Sequence, residues 1–562
     1  MATSLRIGAR AAPLAAGAVL GYAAYTLHNS KQQLLNPIRL DDSPFPTPTT
    51  LLPEAIHISP SGVPSTITPL GWGTNEYLTL LPTSDKKTLK NPTPLPQLGA
   101  TALRHLVIQE KYGAAIDARG DLWMWGTDYD PSGDVGKSLS GRDLAEVAAA
   151  PGKLFALSKR GRLYAVSADR SFQEGNVPSR AYWKRLASRD PGVDYVELQP
   201  NVRLGWGEKW TSISVGSNHL LALTNKGRTF SLPLNPAANS HRQLGTRQTF
   251  PVPATMAEAV RDGPTLPPAS DPRFETKLTE IPALSGIRIA QIAASDRSSF
   301  VRTADGKVLG FGANDYGQIG LGNRTTVATI PTPVEIAIGK AYPAGTRISC
   351  SNVSAGGATT FFTIEREDGN KKLVDVLSCG NGQNGTLGTG MWSSACYEPA
   401  KIKTGLQEYS EATQELVPLQ ITSISVSPSM NTHAFAVLDT LQSADPKGKK
   451  QNMFGKDVLV WGGNIDYQLG TGKRSSIATP THLPSLIPHA MDTLVASRTE
   501  QIDTKDSPGG LKQKPIHFTR LQLHQTKADA YDLNGKLIKR GVRAEETIVP
   551  GYNCSVLYNR II

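Results

Sequence analysis

A twelve-residue pattern occurs three times without a gap: FGANDYGQIGLG (Phe311–Gly322), CGNGQNGTLGTG (Cys379–Gly390) and WGGNIDYQLGTG (Trp461–Gly472). Glycine stands at the second, tenth and twelfth places of each: Gly312, Gly320 and Gly322; Gly380, Gly388 and Gly390; Gly462, Gly470 and Gly472. A proline and a short apolar run follow each copy, as IPTPVEI, YEPAKI and ATPTHL. Self-similarity at a period of tens of residues implies an array of units, because one unit cannot bury its apolar face alone. Glycine at fixed places in such units permits positive φ or close approach of backbones. The aromatic or Cys ahead of the first Gly is expected to fill the space between adjacent sheets.

Ahead of each copy lies a hairpin pattern. In IAQIAASDRSSFVRTADGKVLGFG (Ile289–Gly312) two short strands flank an Asp-Gly turn, a strong local hairpin signal. The same template fits segments with turns at Gly120, Gly161, Gly227 and Gly535. Two further copies, near 349–380 and 422–462, carry insertions at the turn. Hairpins therefore recur near 103–131, 147–169, 210–233, 288–312, 349–380, 422–462 and 517–541, about seven units. Gly (52) and Pro (40) are abundant and aromatics are 7%, which favours short strands and turns over helices. Radial closure best protects the edges of such sheets. Pro69–Tyr77 and Thr547–Tyr558 read as leftover strands that staple the ring shut; which blade they complete stays open.

These repeats resemble the regulator-of-chromosome-condensation family. The resemblance rests on the Gly-rich segments, the proline after them and the Gly-x-Asn-His step at Gly216–His219. It covers roughly Pro69–Tyr558 and implies an all-β, seven-bladed β-propeller. Units near 143–169 and 209–245 lack the aromatic-Gly return, reading LYAVSA and TFSLPL. Long insertions are expected near 169–209, 235–285, 440–456 and 488–514, within a propeller spanning 55–562.

The first forty residues contain Arg6, Arg10, Lys31 and Arg39 and no acid before Asp41. That composition suits a mitochondrial presequence, assigned to 1–10. No charged side chain lies between Ala11 and Ser30, so 11–30 is expected to be a single transmembrane helix, near the lower length limit of about 17 residues. Its core is rich in Ala and Gly, unlike the Leu-rich core of a secretory signal; a cleaved presequence with a soluble product is the rival reading. Residues 31–54 form a Pro-rich spacer. The positive charges ahead of the segment place the N-terminus in the matrix and the propeller in the intermembrane space.

The net charge of +11 comes from dispersed Lys and Arg, with no recognition helix, zinc-finger spacing or aromatic RNA-binding signature. Cys350, Cys379, Cys396 and Cys554 form no C-x-x-C pair and read as buried free thiols. No phosphate loop, metal motif or nucleophile elbow appears, so no catalytic residue, cofactor or metal is expected. His219 and His433 take matching places in two units and read as inter-blade hydrogen-bonding groups. In the 169–209 insertion, Arg180, Trp183, Lys184, Arg185 and Trp206, with Trp210 at its border, mix aromatic and basic character that suits a protein-binding surface.

The layout also resembles fungal mitochondrial inner-membrane propellers linked to assembly of the cytochrome bc1 complex (complex III). That resemblance implies a non-catalytic scaffold whose partners are complex III subunits or assembly intermediates. Two alternatives stand beside it: an exchange factor for a mitochondrial GTPase, as the family's name-giving member implies, and, lower, an RNA-binding propeller.

Overall fold

The computed structural model describes residues 68–175, 192–248, 270–322, 327–369, 371–404, 407–410, 415–439, 455–484, 486 and 520–562. The presequence, transmembrane helix and spacer expected before Thr68 lie outside these residues. Among the described residues no helix is long and apolar enough to cross a membrane.

Among the described residues seven sheets, each built on four antiparallel strands, make seven blades. Blade 1 comprises His105–Ile108, Gly113–Ile116, Leu122–Trp125 and Gly136–Lys137. Blade 2 comprises Leu144–Ala150, Lys153–Ser158, Leu163–Ser167 and Tyr195–Glu197. Blade 3 comprises Trp210–Val215, His219–Thr224, Thr229–Pro233 and Lys277–Glu280. Blade 4 comprises Ile289–Ala294, Ser298–Thr303, Val308–Ala313 and Thr329–Glu335. Blade 5 comprises Ile348–Gly356, Thr359–Asp368, Lys371–Gly380 and Cys396–Lys401. Blade 6 comprises Gln420–Val426, His433–Asp439, Lys456–Gly462 and Ile477–His482. The first strands of successive blades touch in a closed cycle, which makes them the inner wall of the ring. A β-bulge recurs at one place in this wall, as at Leu144/Glu146, Ile289/Gln291 and Cys350/Asn352, and bends the strand there.

Blade 7 is shared between the two ends of the chain. Leu537–Pro550 and Cys554–Ile561 supply its inner strands, and Leu70–Thr74 and Thr88–Pro94 its outer ones. Leu70 pairs with Leu557 and Gly73 with Cys554. The expected closing segments thus complete one and the same blade. The hairpin around Gly535 is not that blade's repeat unit. Its strand Gln525–Tyr531 pairs with the start of the long inner strand, Gln525 opposite Glu545, and so hangs on the ring's edge.

Among the described residues the apolar core is divided into seven clusters, each built from the facing sides of two neighbouring blades. The repeat explains the joint. Trp72, Trp125 and Trp461 are fully buried and donate Nε1–H to the carbonyls of Gln468 (2.9 Å), Thr79 (2.7 Å) and Thr386 (3.1 Å) in the preceding blade. Cys379 Sγ meets the Gln318 carbonyl in the same way at 3.3 Å. The tenth residue of the preceding pattern lies flat against this side chain. A Cβ on Gly470 would stand 2.9 Å from Trp72, and one on Gly388 2.9 Å from Trp461. The glycine at the second place of the pattern turns the chain at φ +107° to +111° in Gly312, Gly380 and Gly462.

Two expected insertions contain parts of blades. The 169–209 segment includes the short helix Arg170–Gly175 and the outer strand of blade 2, Tyr195–Glu197. The 235–285 segment includes the outer strand of blade 3 and a further copy of the loop, Asn239–Gly245. There Asn239 Oδ1 accepts the Leu244 N–H, as Asn314 accepts that of Ile319, Asn464 that of Leu469 and Asn75 that of Leu80. The pattern was hidden in blade 3 because its return strand, TFSLP, ends without the aromatic-Gly step. Residues 488–514 and most of 440–456 lie outside the described residues.

Candidate docking faces

Strand alternation gives the ring two faces. One, the loop face, carries the connections between first and second and between third and fourth strands. The other, the turn face, carries the hairpin turns between second and third strands and the links from blade to blade. Short loops on a rigid scaffold are where a propeller presents side chains to partners.

The two histidines at matching repeat positions are structural. His219 and His433 are buried, and their Nε2 atoms lie 2.8 Å from Ser299 Oγ and 2.9 Å from Ser555 Oγ of the next blade. Each serine donates onward to a backbone carbonyl, that of Gln243 or Gln468. Burial holds both imidazoles at about 3, opposed at His433 by a hydrogen bond with the Cys554 backbone. They stay neutral and in separate blades, so they do not meet as a catalytic pair.

The loop face shows an apolar row that the repeat pattern does not require. Val327, Met391, Trp392, Met430 and Ile465 are exposed, Trp392 by 61% and Met391 by 58%. They sit on loops of blades 4, 5 and 6. Asn431 ties two of these loops together, its Oδ1 accepting from Asn384 Nδ2 at 3.0 Å. Sequence reasoning missed this row. The available signal was Met391-Trp392 directly after Gly390, an aromatic outside every position that packs between blades.

The expected partner residues separate. Arg180, Trp183, Lys184 and Arg185 lie outside the described residues. Trp210 is a core residue, 4% exposed, with its ring edge-on to Phe230 at 5.0 Å; as the first residue of an inner strand it faces the blade 2 core, so it leaves the list of docking residues. Trp206 is 97% exposed on the turn face.

The turn that holds Trp206 is firmly built. Glu208 N–H donates to the Gly205 carbonyl at 3.0 Å, and Gly205 N–H to Glu208 Oε2 at 2.7 Å. The Glu208 carboxylate also accepts from Thr224 Oγ1 (2.8 Å) and lies 3.3 Å from Arg228, which pairs bidentately with Glu280. Burial works against the Glu208 charge, but the Gly205 N–H, the Thr224 hydroxyl and Arg228 outweigh it and hold the carboxyl below its usual range. Asn225 Nδ2 fixes the Gly207 carbonyl at 3.1 Å.

Among the described residues no cluster of three His, Cys, Asp or Glu is poised to hold a metal. The four cysteines are free, with Cys350, Cys379 and Cys554 buried. Burial pushes the Cys350 thiol up to about 12.

Comparison with known proteins places this architecture. Models of the regulator of chromosome condensation (RCC1) repeat match residues 289–318 and 305–362. The chain is 24% identical to "Protein FMP25, mitochondrial" of Saccharomyces cerevisiae over 424 residues, covering 72% of this chain and 64% of that protein. It is 24% identical to the ultraviolet-B receptor UVR8 of Arabidopsis thaliana, covering 57% and 62%. The match thus spans less than two thirds of the length of either relative. Among solved structures it is similar to Prp20p of Saccharomyces cerevisiae, with a TM-score of 0.52 at 16% identity, covering 89% of this chain and 92% of that one. Human WBSCR16 gives 0.50 at 14% identity, covering 88% and 99%. The chain is a seven-bladed β-propeller carrying repeats of the regulator of chromosome condensation type.

Proposed function

We propose that this chain is a non-catalytic protein-interaction scaffold of the mitochondrial inner membrane that assists assembly of the cytochrome bc1 complex. The observation that carries the reading is the apolar row on the loop face. Val327, Met391, Trp392, Met430 and Ile465 are exposed on loops of blades 4, 5 and 6, and exposed apolar residues on a rigid scaffold favour protein docking. Subunits or assembly intermediates of complex III are the proposed partners. The mitochondrial relative and the acid-free first forty residues support the compartment. The charge flanking Ala11–Ser30 supports a propeller in the intermembrane space. Deleting the gene and quantifying assembled cytochrome bc1 complex by native electrophoresis tests the role: a reduced complex is expected, and normal amounts would reject it.

A second reading, exchange on a mitochondrial GTPase, draws on likeness of fold to Prp20p, whose solved structure is described with its binding to Gsp1p and histones. Fold shared with a GTPase-binding protein does not carry activity. Faster nucleotide release from a mitochondrial GTPase on adding the purified chain would favour it.

A further inference from the structure

We propose that the turn face over blades 2 and 3 docks on an anionic phospholipid surface, with Trp206 entering the interfacial layer. Trp206 is the most exposed large apolar side chain among the described residues, and Val202 and Ile287 are exposed on the same face. Around it stand Lys159, Arg160, Arg203, Lys209, Lys226 and Arg288, all exposed. None of the six forms an ion pair with a described residue. Two acids of this face, Glu208 and Glu280, share the single charge of Arg228. One carboxylate charge is left over there, so the six cations give the face an excess of positive charge around one aromatic tip.

The six cations belong to one continuous surface. The blade 2 turn abuts the link to blade 3, since a Cβ on Gly161 would stand 2.7 Å from Lys209. The Trp206 turn abuts the blade 3 turn, with Lys226 Nζ 2.9 Å from the same point on Gly205. The blade 3 turn abuts the link to blade 4 at Arg288, 2.9 Å from that point on Gly227. Beside them opens a cleft of about 280 Å³, and Arg288 in its wall supplies a guanidinium suited to a phosphate headgroup.

Two features favour a membrane over an acidic protein or a nucleic acid. The cations sit on turn tips around a single indole, the pattern that suits a charged plane; a nucleic-acid strand calls for a groove with several stacking rings. Trp partitions to the membrane–water interface and basic residues to anionic headgroups. Strand Leu70–Thr74 also starts at this face, because Gly73 pairs with Cys554 at the loop-face end. The described chain therefore begins on the proposed membrane side, and the residues preceding it include the uncharged stretch Ala11–Leu27. Lipid takes the place of the protein partner that sequence analysis expected at Trp206. The inference uses the membrane half of the proposed function and is independent of the assembly role.

The test uses the full chain added to vesicles of bromine-labelled phosphatidylcholine, with and without phosphatidylserine. Trp206 emission is taken as the difference between wild type and Trp206→Phe. Quenching is expected on anionic vesicles only and is expected to weaken with salt. Replacing Lys159, Arg160, Lys209 and Lys226 by Gln should lower the apparent vesicle affinity about fivefold for each cation removed. All five side chains are exposed, and an unchanged circular dichroism spectrum confirms that the variants fold. Equal quenching on neutral vesicles would mean that tethering alone brings Trp206 to lipid, and would overturn the proposal. So would an unquenched Trp206, or an emission change elicited by RNA or polyglutamate and not by vesicles. Normal cytochrome bc1 levels in a deletion strain would reject the assembly role and leave this result unaffected.

Discussion

Trp72 and Gln468 are 396 residues apart in the chain and 2.9 Å apart in the ring, the indole N–H of one donating to the carbonyl of the other. The bond joins the N-terminal strand of blade 7 to blade 6. Ser555, from the C-terminal strand, donates to the same carbonyl at 2.8 Å. Both ends of the chain therefore converge on one acceptor. Trp72→Phe should lower stability by about 1 kcal/mol, since the serine still satisfies the carbonyl. Trp72→Ala should cost about 3–5 kcal/mol, because a buried aromatic is lost at the closure. Urea midpoints of the two variants measure this.

Gly470 packs on that same indole at φ +71°. In Gly470→Ala the new methyl would meet the ring at 2.9 Å and sit in a disfavoured conformation. A loss of about 2 kcal/mol or more is expected. Gly535 has φ +81° and open space around it, so Gly535→Ala should cost only the conformational part, about 1 kcal/mol. Thermal melts of the pair separate clash from backbone strain.

Acid should weaken the blade joints through His219 and His433. Their folded values of about 3 lie below the unfolded value, about 6.5. The unfolded chain therefore binds more protons between those limits. Stability from this source is full above about 6.5 and falls as pH drops toward 3, by about 2 kcal/mol per histidine between pH 7 and 5. Glu146 and Glu546 work the other way: burial raises both to about 7, so their effect reduces stability as pH rises from about 4.5 to 7. The wild-type profile mixes the two signs. Denaturation of His219→Gln and His433→Gln across pH 5–7 isolates the histidine part, and a slope equal to wild type would contradict it.

Trp206 and Trp210 are four positions apart in sequence and differ in surroundings. Trp210→Ala should destabilise by about 3–5 kcal/mol, because it empties the packing against Phe230. Trp206→Ala should stay within about 0.5 kcal/mol of wild type. Chemical denaturation of both variants distinguishes a core residue from a surface one.

Trp392→Ser combined with Ile465→Ser should leave stability within about 1 kcal/mol, since both side chains are exposed. Recovery of cytochrome bc1 subunits with the tagged chain should fall several-fold. Trp206→Ser should leave that recovery unchanged. Equal losses in both variants would mean that the loop face is not the protein-binding side.

Much of the fold was legible because its determinants are local. The spacing of Gly312, Gly320 and Gly322 and its two other copies marks three of the seven joints, and the turns at Gly120, Gly161, Gly227 and Gly306 mark four of the hairpins. The copy at Asn239–Gly245 and the one beginning at Asn75 escaped because only the Asn, its apolar partner five residues on and the fold of the loop remain. The candidate site was less legible still. Trp206 and Trp210 read alike in sequence, as aromatics in a basic stretch.

By itself the sequence determined the class, the approximate number of blades and the glycine positions, since a repeating local pattern specifies a repeating unit. Only the tertiary structure decided which strands close the ring, that the Gly535 hairpin stands outside the repeat, and which tryptophan reaches solvent. Those outcomes depend on which distant segments become neighbours: Leu70 finds Leu557 and Trp210 finds Phe230. Burial belongs to such pairs of surfaces and is written in no single stretch of chain.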